Sequence, residues 1–255
     1  MTVLSAYRDI ADHAALEREG LFVVEGRLVV ERLLEDRRFR VHSVVVTPAA
    51  QRAMARAFEG RPDVPVHVME PEELRALTGF DFHRGCLALA WRPETGTQQD
   101  ELIKATRILA IEGVGNPDNI GGLFRSALAL GVEAVMLDAA ASDPLYRKAI
   151  RTSMGATLRV PYVRAAAWPG ELAELKTRGF RVIALTPAEH AVPISDVHVD
   201  PAVRFVLVVG SEGPGLTPSS LAHADVAVRI PVDPRADSLN VVVAASIALH
   251  ALRTG

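Results

Sequence analysis

The first 95 residues alternate short apolar runs, which predict strands, with segments whose apolar side chains recur at helical spacing. The predicted strands are residues 21–24, 41–47, 64–69 and 85–91, and the predicted helices are residues 26–36, 48–58 and 71–77. This alternation predicts a small sheet layered with helices. Pro93 and Gly96, with the Thr/Gln stretch beside them, then break both patterns. We therefore divide the chain into a first domain at 1–95, a linker at 96–104 and a second domain at 105–255.

The second half repeats this order with longer elements. The predicted strands are residues 107–111, 134–137, 158–163, 181–185 and 205–209, and the predicted helices include 120–130 and 168–178. Near-continuous apolar strands joined by helices indicate an α/β fold with a parallel sheet covered on both faces. The last segment, 238–253, is strongly apolar. We expect this helix to be buried all round, either in the core or against a second subunit.

The composition favours a soluble globular protein without general affinity for polyanions. Of the 255 residues, 49% are hydrophobic and 23% are charged, and the net charge is only −3. Of the 28 basic residues, 25 are Arg. Arginine makes planar, bidentate contacts with phosphate, although a compositional bias explains the excess equally well.

Other features limit the location and the chemistry. The single cysteine, Cys86, lies in an apolar run and has no partner for an internal disulfide, so we expect a buried thiol. The N-terminus lacks a signal-peptide pattern, and no apolar stretch approaches the ~20 residues that span a bilayer. We therefore expect a cytoplasmic protein with no membrane segment. Because no His-x-x-x-His or Cys/His cluster is present, we also expect no metal site.

Three polar or glycine-rich fragments lie at the edges of apolar runs, at residues 116–125, at 210–215, and at 230–231 followed by 238–240. Each fragment alone has a local explanation. Asn119 and Ser238 are expected to cap helices, whereas Asn240 needs a polar partner if it is buried. The loop 210–215 follows a predicted strand, at the strand end where ligands bind to parallel sheets. It is a weak signal, because it matches neither glycine pattern of nucleotide-binding loops.

Two further polar clusters are explained by solvated surface as well as they are by a functional role. One is the pair His83 and Arg84, and the other is the segment 143–148. Within and after the second cluster, Arg147, Lys148 and Arg151 form the basic face of a predicted helix.

Together and in this order, the three fragments resemble the SpoU (TrmH-like) class of RNA ribose 2'-O-methyltransferases, part of the SPOUT superfamily. Asn119 with Arg125 resembles the first motif of that class, and residues 210–213 resemble the second. Residues 230–231 with 238–241 resemble the third motif, although 231–235 replace its usual Pro-Met-x-Gly stretch. Residues 20–27 resemble the start of the L30e-like substrate-binding domain that precedes many SpoU domains.

The resemblance implies a C-terminal parallel-sheet SPOUT domain with a trefoil knot, preceded by a smaller α/β L30e-like domain. It also implies a homodimer that uses S-adenosyl-L-methionine to methylate a ribose 2'-hydroxyl in structured RNA. By the same resemblance, backbone groups at Gly210, Ile230 and Leu239 bind the cofactor. The residues expected around the transfer site are Asn119, Arg125, Glu212, Ser238 and Asn240.

The role of Arg125 is open, because a guanidinium group stays protonated to above about pH 12 and is a poor base. We hypothesise that Arg125 clamps the adjacent phosphate and stabilises the developing alkoxide. The L30e-like domain favours ribosomal RNA over transfer RNA. The alternatives are a transfer-RNA ribose methyltransferase and a catalytically silent RNA-binding or ribosome-assembly protein. An ordinary Rossmann enzyme is disfavoured, because the glycine fingerprint and its acidic partner are missing.

Overall fold

The computed structural model describes residues 3–8, 10, 12–79, 85–93, 99–236 and 238–254. His83 and Arg84, singled out above as a polar cluster, lie outside the described residues. The chain divides into two compact units, of which the first comprises Met1–Thr95 and Leu145–Leu158. The second unit comprises Gly96–Pro144 and Arg159–Gly255.

The strands in chain order are β1 (Leu21–Glu25), β2 (Val41–Val46), β3 (Val66–Val68), β4 (Cys86–Trp91), β5 (Arg107–Glu112), β6 (Ala134–Leu137), β7 (Tyr162–Arg164), β8 (Arg181–Leu185), β9 (Val192–Pro193), β10 (Phe205–Gly210) and β11 (Val226–Arg229). The α-helices are α1 (His13–Arg18), α2 (Arg27–Glu35), α3 (Pro48–Ala53), α4 (Ala55–Glu59), α5 (Pro71–Thr78), α6 (Gln99–Lys104), α7 (Pro117–Ala129), α8 (Arg147–Thr152), α9 (Ala156–Arg159), α10 (Gly170–Thr177), α11 (Pro218–His223) and α12 (Val241–Thr254). Short 3-10 helices occupy Val3–Tyr7 and Ile194–Asp196.

The first unit is built on a four-stranded sheet of order β1-β4-β2-β3. Strand β4 pairs antiparallel with both β1 and β2, while β2 and β3 are parallel. The four strands and three helices predicted here are confirmed, except that the helix predicted at 48–58 is divided at Met54 into α3 and α4. Cys86 is fully buried, and this burial raises the pKa of its thiol to about 12, so the predicted buried thiol is confirmed.

The segment Leu145–Leu158 belongs to the first unit, although the sequence places it well inside the predicted second domain. Helix α8 packs on β1, and Arg147 on α8 forms an ion pair of 2.8 Å with Glu25 at the end of β1. Glu25 is only 9% exposed, and a buried carboxylate needs a nearby cation. Of the predicted basic helix face, Arg147 is therefore used within the fold, whereas Lys148 and Arg151 are exposed.

The second unit is built on a seven-stranded sheet of order β7-β6-β5-β10-β8-β11-β9. Every pairing in it is parallel, which confirms the predicted α/β fold with a parallel sheet. Its central strands β5 and β10 are buried along almost their whole length, as their continuous apolar sequences require. One core cluster contains Leu102 and Ala105. The predicted linker 96–104 is therefore partly wrong, because its last six residues form α6 and Leu102 is buried in that core.

Two predictions in the second unit need correction. The strand predicted at 158–163 is wrong, since residues 156–159 form α9 and β7 begins only at Tyr162. Pro161 explains the boundary, because the residue before a proline is driven out of the helical region. The helix predicted from 238 begins at Val241, and the exposure of Val243 (46%) and Ile247 (40%) excludes burial all round in the chain's own core, so burial against a second subunit stays a prediction. None of the helices among the described residues is both long and apolar enough to span a membrane.

Candidate functional site

The candidate site lies at the carboxyl edge of the second unit's sheet. Strands β5, β10 and β11 are parallel to their neighbours, so the loops that follow them emerge at the same edge. These loops, 113–116, 211–217 and 230–240, carry the three fragments singled out in the sequence. The carboxyl edge of a parallel sheet is the usual place for ligands in α/β proteins.

Three side chains from these fragments form one hydrogen-bonded cluster, which we call the amide–carboxylate triad: Asn119, Glu212 and Asn240. Asn119 Nδ2 donates to Glu212 Oε1 at 3.1 Å. Asn240 Nδ2 donates to the same oxygen at 2.5 Å and to Asn119 Oδ1 at 3.1 Å. The backbone N–H of Val241 also donates to Glu212 Oε1, at 3.4 Å. The structure thus brings together three of the five residues predicted around a transfer site.

The orientation of both amides follows from a fixed backbone donor. The Val242 N–H donates to Asn240 Oδ1 at 2.9 Å, so the Nδ2 group of Asn240 must face the other two triad members. Because Asn240 donates to Asn119, the oxygen of Asn119 faces Asn240 and its nitrogen faces Glu212. In the described part of the chain, Glu212 Oε2 has no partner. One carboxylate oxygen is therefore held firmly while the other is available to a ligand.

The helix caps differ from those predicted. Asn116 caps α7 by accepting the Asp118 N–H at 2.9 Å, and Asn119 lies inside the first turn, so the predicted cap at Asn119 is wrong. Asn240 accepts the Val242 N–H at the start of α12, so the cap predicted at Ser238 is also misplaced. Pro117 is the first residue of α7 and shifts the helix start three residues earlier than predicted, because a proline is favoured at that position.

Arg125 and Ser238 lie outside the triad. Arg125 is exposed on α7, six residues after Asn119, and among the described residues its guanidinium has no hydrogen-bond or ion-pair partner. Ser238 is exposed in the loop before α12, likewise without a hydrogen-bond partner within the described ranges. The structure therefore leaves both side chains open to a ligand but does not join them to the other three.

Gly210, Ile230 and Leu239 are the residues predicted to bind a cofactor through their backbones. At Gly210 a Cβ atom would lie 2.4 Å from the carbonyl carbon of Gly215, so only glycine lets the loop turn back on its strand. Ile230 and Leu239 are half-buried, and within the part of the chain described here their backbone N–H and C=O groups have no hydrogen-bond partner. Backbone groups without protein partners in half-buried residues suit a polar ligand, since backbone groups removed from water are rarely left unsatisfied.

Comparison with known proteins assigns the chain to a family. A sequence model of the SpoU rRNA Methylase family matches residues 106–250, more than half of the chain. The chain belongs to this family. The predicted resemblance is thereby confirmed, and with it the prediction that the protein is an RNA methyltransferase.

Individual relatives of this SpoU methylase agree with that assignment. This chain is 38% identical over 239 residues to an uncharacterized tRNA/rRNA methyltransferase of Mycobacterium tuberculosis, and the match covers 91% of this chain and 80% of that protein. It is 28% identical to the 23S rRNA (guanosine(2553)-2'-O)-methyltransferase RlmP of Bacillus subtilis, across 94% of this chain and 92% of that protein. The crystal structure of the SpoU methyltransferase AviRb from Streptomyces viridochromogenes, in complex with AdoMet, is similar in fold. Its TM-score is 0.80 at 22% identity, over 99% of this chain and 96% of that chain.

Two buried carboxylates support the site of this SpoU methylase and were not predicted as functional residues. Glu112, at the end of β5, accepts hydrogen bonds from Thr217 Oγ1 at 2.8 Å and from the Thr217 N–H at 3.2 Å. Asp138, after β6, accepts the Gly113 N–H at 3.0 Å and the Ala141 N–H at 2.8 Å. In the sequence, both residues could have been found as an acidic residue that directly follows an apolar run. No group of three or more His, Cys, Asp or Glu residues in the described ranges is arranged to hold a metal ion.

Proposed function

We propose that this SpoU methylase transfers a methyl group from S-adenosyl-L-methionine to a ribose 2'-hydroxyl of ribosomal RNA. The observation that carries the proposal is the amide–carboxylate triad, in which Asn119, Glu212 and Asn240 meet at the carboxyl edge of the sheet. When bound, the cofactor would supply an electrophilic methyl group on a sulfonium centre and would leave as a neutral thioether, while the ribose hydroxyl would give up one proton. The protein's part is to position the ribose hydroxyl and to stabilise the charge that develops on its oxygen.

Glu212 is the member of the triad that contacts the substrate. Two amide donors and the Val241 N–H hold its Oε1 atom, which leaves Oε2 to accept a hydrogen bond from a ribose hydroxyl. The two asparagines act mainly by fixing this carboxylate. A positioned hydrogen-bonding group of this kind typically contributes ~100-fold or more to the rate.

Arg125 and Ser238 complete the transfer site from the substrate side. Arg125 is exposed and without a protein partner in the described residues, so its guanidinium is available for the phosphate next to the reacting ribose. From there it stabilises the developing alkoxide as a fixed positive charge rather than as a base, because a guanidinium group is a poor base. Ser238, exposed before α12, donates a hydrogen bond to the substrate.

The cofactor is held by backbone groups of Gly210, Ile230 and Leu239. Support comes from the backbone groups of the half-buried residues Ile230 and Leu239, which have no hydrogen-bond partner among the described residues, and from the tight turn at Gly210, where no side chain fits. Gly210 ends β10, and Ile230 and Leu239 lie in the loop after β11, at the same sheet edge as the triad, so the methyl donor and the ribose share one site.

Ribosomal RNA is the proposed substrate, and transfer RNA is the alternative. RlmP, which is named as a 23S rRNA 2'-O-methyltransferase, aligns with nearly the whole chain and not with the second unit alone. In the proposal, the first unit is an L30e-like RNA-binding domain that presents a loop or splayed nucleotide, since single-stranded RNA exposes its sugar and base edges. A ribosomal substrate implies action in the cytoplasm.

The proposal includes a homodimer and a trefoil knot in the second unit. Support for the dimer comes from exposed apolar side chains on two packed helices, namely Leu128 on α7 with Val243 and Ile247 on α12. An apolar surface of this kind is typical of a protein interface. The knot rests on the family resemblance and involves the loops 211–217 and 230–240.

The test is methyl transfer in vitro. Purified protein is incubated with methyl-tritiated S-adenosyl-L-methionine and with ribosomal or transfer RNA from cells that lack this protein. We expect label in ribosomal RNA and, after alkaline hydrolysis, in dinucleotides, because a 2'-O-methyl group blocks cleavage of the adjacent phosphodiester. Label in mononucleotides would indicate base methylation and contradict the proposal. Cofactor binding without transfer to either RNA would support a catalytically silent RNA-binding protein instead.

A further inference from the structure

Helices α7 and α12 approach each other unusually closely at one point, where Gly122 faces Val242. A Cβ atom added at Gly122 would lie 2.7 Å from Val242 Cγ2 and 2.9 Å from Val242 Cγ1. These distances are far below an ordinary carbon–carbon contact of about 3.5–4.0 Å. The branched side chain of Val242 therefore occupies the space that a side chain at position 122 would need.

The contact lies directly beside the amide–carboxylate triad. Asn119 is three residues before Gly122 on α7 and occupies the same face of the helix. Asn240 is two residues before Val242 and accepts its backbone N–H at 2.9 Å. The distance between the two helices at Gly122 therefore sets the distance between Asn119 and Asn240, which is 3.1 Å from Oδ1 to Nδ2.

A second contact fixes the same two helices one turn further on. Ser246 Oγ on α12 donates to the Val242 carbonyl oxygen at 2.6 Å and lies 2.8 Å from Ser126 Oγ on α7, from which it accepts a hydrogen bond. Gly122 lies between Asn119 and Ser126 along one face of α7. With hydrogen bonds on both sides of it, the helix pair has little freedom to tilt around an added methyl group.

We propose that Gly122 is a positioning residue of the methyl-transfer reaction, matched to Val242, and that this pair sets the geometry of the triad. The inference rests on the proposed function. Relieving the contact created by a Cβ atom at 2.7 Å requires a shift of about 1 Å. A shift of that size lengthens the Asn119–Asn240 hydrogen bond beyond the range of a real one. A misplacement of about 1 Å in catalytic geometry costs roughly 100-fold in rate.

The experiment compares the wild type with Gly122→Ala, Val242→Ala and the double variant. Replacing Val242 by Ala removes both Cγ atoms, so the nearest remaining atom to a Cβ at position 122 is Val242 Cβ, at 3.4 Å. We expect Gly122→Ala to lower kcat roughly 100-fold with a smaller change in the KM for RNA. In the double variant we expect kcat to return to the level of Val242→Ala alone, because the methyl group then has room.

A matched control is Gly170→Ala at the first residue of α10, where an added Cβ meets no atom within 4 Å. This variant shows the effect of changing a helical glycine to alanine where the added methyl group meets no other atom. We expect its kcat to equal that of the wild type. Thermal unfolding of all variants separates a local displacement from loss of the fold. A double variant that is no more active than Gly122→Ala would overturn the proposal, as would wild-type kcat in Gly122→Ala.

Failure of the proposed function is distinguishable from failure of this inference. If the wild type transfers no methyl group to any RNA, the proposed function is wrong, and the unfolding temperatures still test the pairing of Gly122 with Val242. In that case, a lower unfolding temperature in Gly122→Ala that recovers in the double variant supports the steric match. Absence of recovery overturns it.

Discussion

Asn240 donates from its Nδ2 atom to Oδ1 of Asn119 at 3.1 Å, although the two asparagines are 121 positions apart in the chain. The bond joins the start of α12 to the first turn of α7, and both side chains also donate to Glu212. Each asparagine uses both ends of its amide, as donor and as acceptor. An amide is therefore required at both positions, and neither a carboxylate nor a hydroxyl group reproduces the pattern.

Replacing Asn240 by Asp tests this requirement. An aspartate still accepts the Val242 N–H and so still caps α12, but it cannot donate to Asn119 or to Glu212. It also introduces a second negative charge beside Glu212. We expect kcat for methyl transfer to fall ~100-fold or more, as for other positioned donors, and the unfolding temperature to fall modestly.

The matched control is Asn116→Asp. Asn116 caps α7 by accepting the Asp118 N–H and is not part of the triad. An aspartate at this position retains the cap, so we expect kcat close to the wild type. Comparable loss of kcat in both variants would show that the effect is not specific to the triad.

Replacing Arg125 by Lys separates charge from geometry. Lysine keeps the positive charge but loses the planar fork that binds a phosphate through two parallel hydrogen bonds. Because Arg125 is exposed and has no protein partner in the described residues, we expect the unfolding free energy to change by less than about 0.5 kcal/mol. We expect kcat to fall at least tenfold, because the loss of one hydrogen bond to the transition state raises the activation free energy by roughly 1.4 kcal/mol.

Arg178→Lys is the control for this experiment, since Arg178 is also exposed in the second unit, at the end of α10. Methyl transfer is measured under saturating cofactor and at several RNA concentrations. Near-normal turnover in Arg125→Lys would refute the claim that fork geometry matters and leave only a need for positive charge.

The sheet of the second unit was predictable because its strands are almost continuously apolar. Strands β5, β8 and β10 have few alternative places in a water-soluble fold, and their sequence limits were predicted to within one residue. Short edge strands carry no such signal. Strand β9 has two residues and β7 has three, and the sequence reasoning missed the first and misplaced the second.

The composition of the site was predictable, whereas its internal contacts were not. Local sequence identifies Asn119, Glu212 and Asn240 as polar residues beside apolar runs. The hydrogen bonds among these side chains depend on the order of the strands in the sheet. The periodicity of the sequence does not encode that order. The same limit applies to the ion pair of Glu25 with Arg147, which joins positions 122 residues apart.

Removing the Glu112 carboxylate tests the support of the loop that carries Glu212. Glu112 is buried and binds both the N–H and the hydroxyl of Thr217, at the end of the loop 211–217. With Glu112→Ala we expect the unfolding free energy to fall by about 1–3 kcal/mol, because two donors lose a charged acceptor. We also expect kcat to fall, since the loop gains freedom to displace Glu212.

Glu133→Ala is a control with the same pair of donors, although Glu133 is exposed and Glu112 is buried. Glu133 accepts the N–H of Thr106 at 2.5 Å and its hydroxyl at 3.0 Å, just as Glu112 does for Thr217. Thr106 and Glu133 precede β5 and β6, at the amino edge of the sheet and away from the candidate site. We expect a loss of stability at most, with unchanged kcat. Chemical denaturation and methyl transfer are measured on both variants, and equal kcat values for the two would contradict a role of Glu112 in the site.

The proposed dimer surface is tested by placing a charge on the exposed face of α12. Ile247 is 40% exposed and lies one turn after Val243, which is 46% exposed. Burying a glutamate at position 247 in an apolar interface is costly when no cation is present to pair with it. We therefore expect the wild type to sediment as a dimer and Ile247→Glu to sediment as a monomer at the same concentration.

The control for the dimer is Val203→Glu, because Val203 is also 40% exposed in the second unit but lies in the loop before β10. We expect this variant to remain dimeric. The wild type should also show an unfolding temperature that rises with protein concentration, as mass action requires when folding and association are linked, whereas Ile247→Glu should not. A dimeric Ile247→Glu variant, or a monomeric wild type, would exclude the face formed by Val243 and Ile247 as the interface.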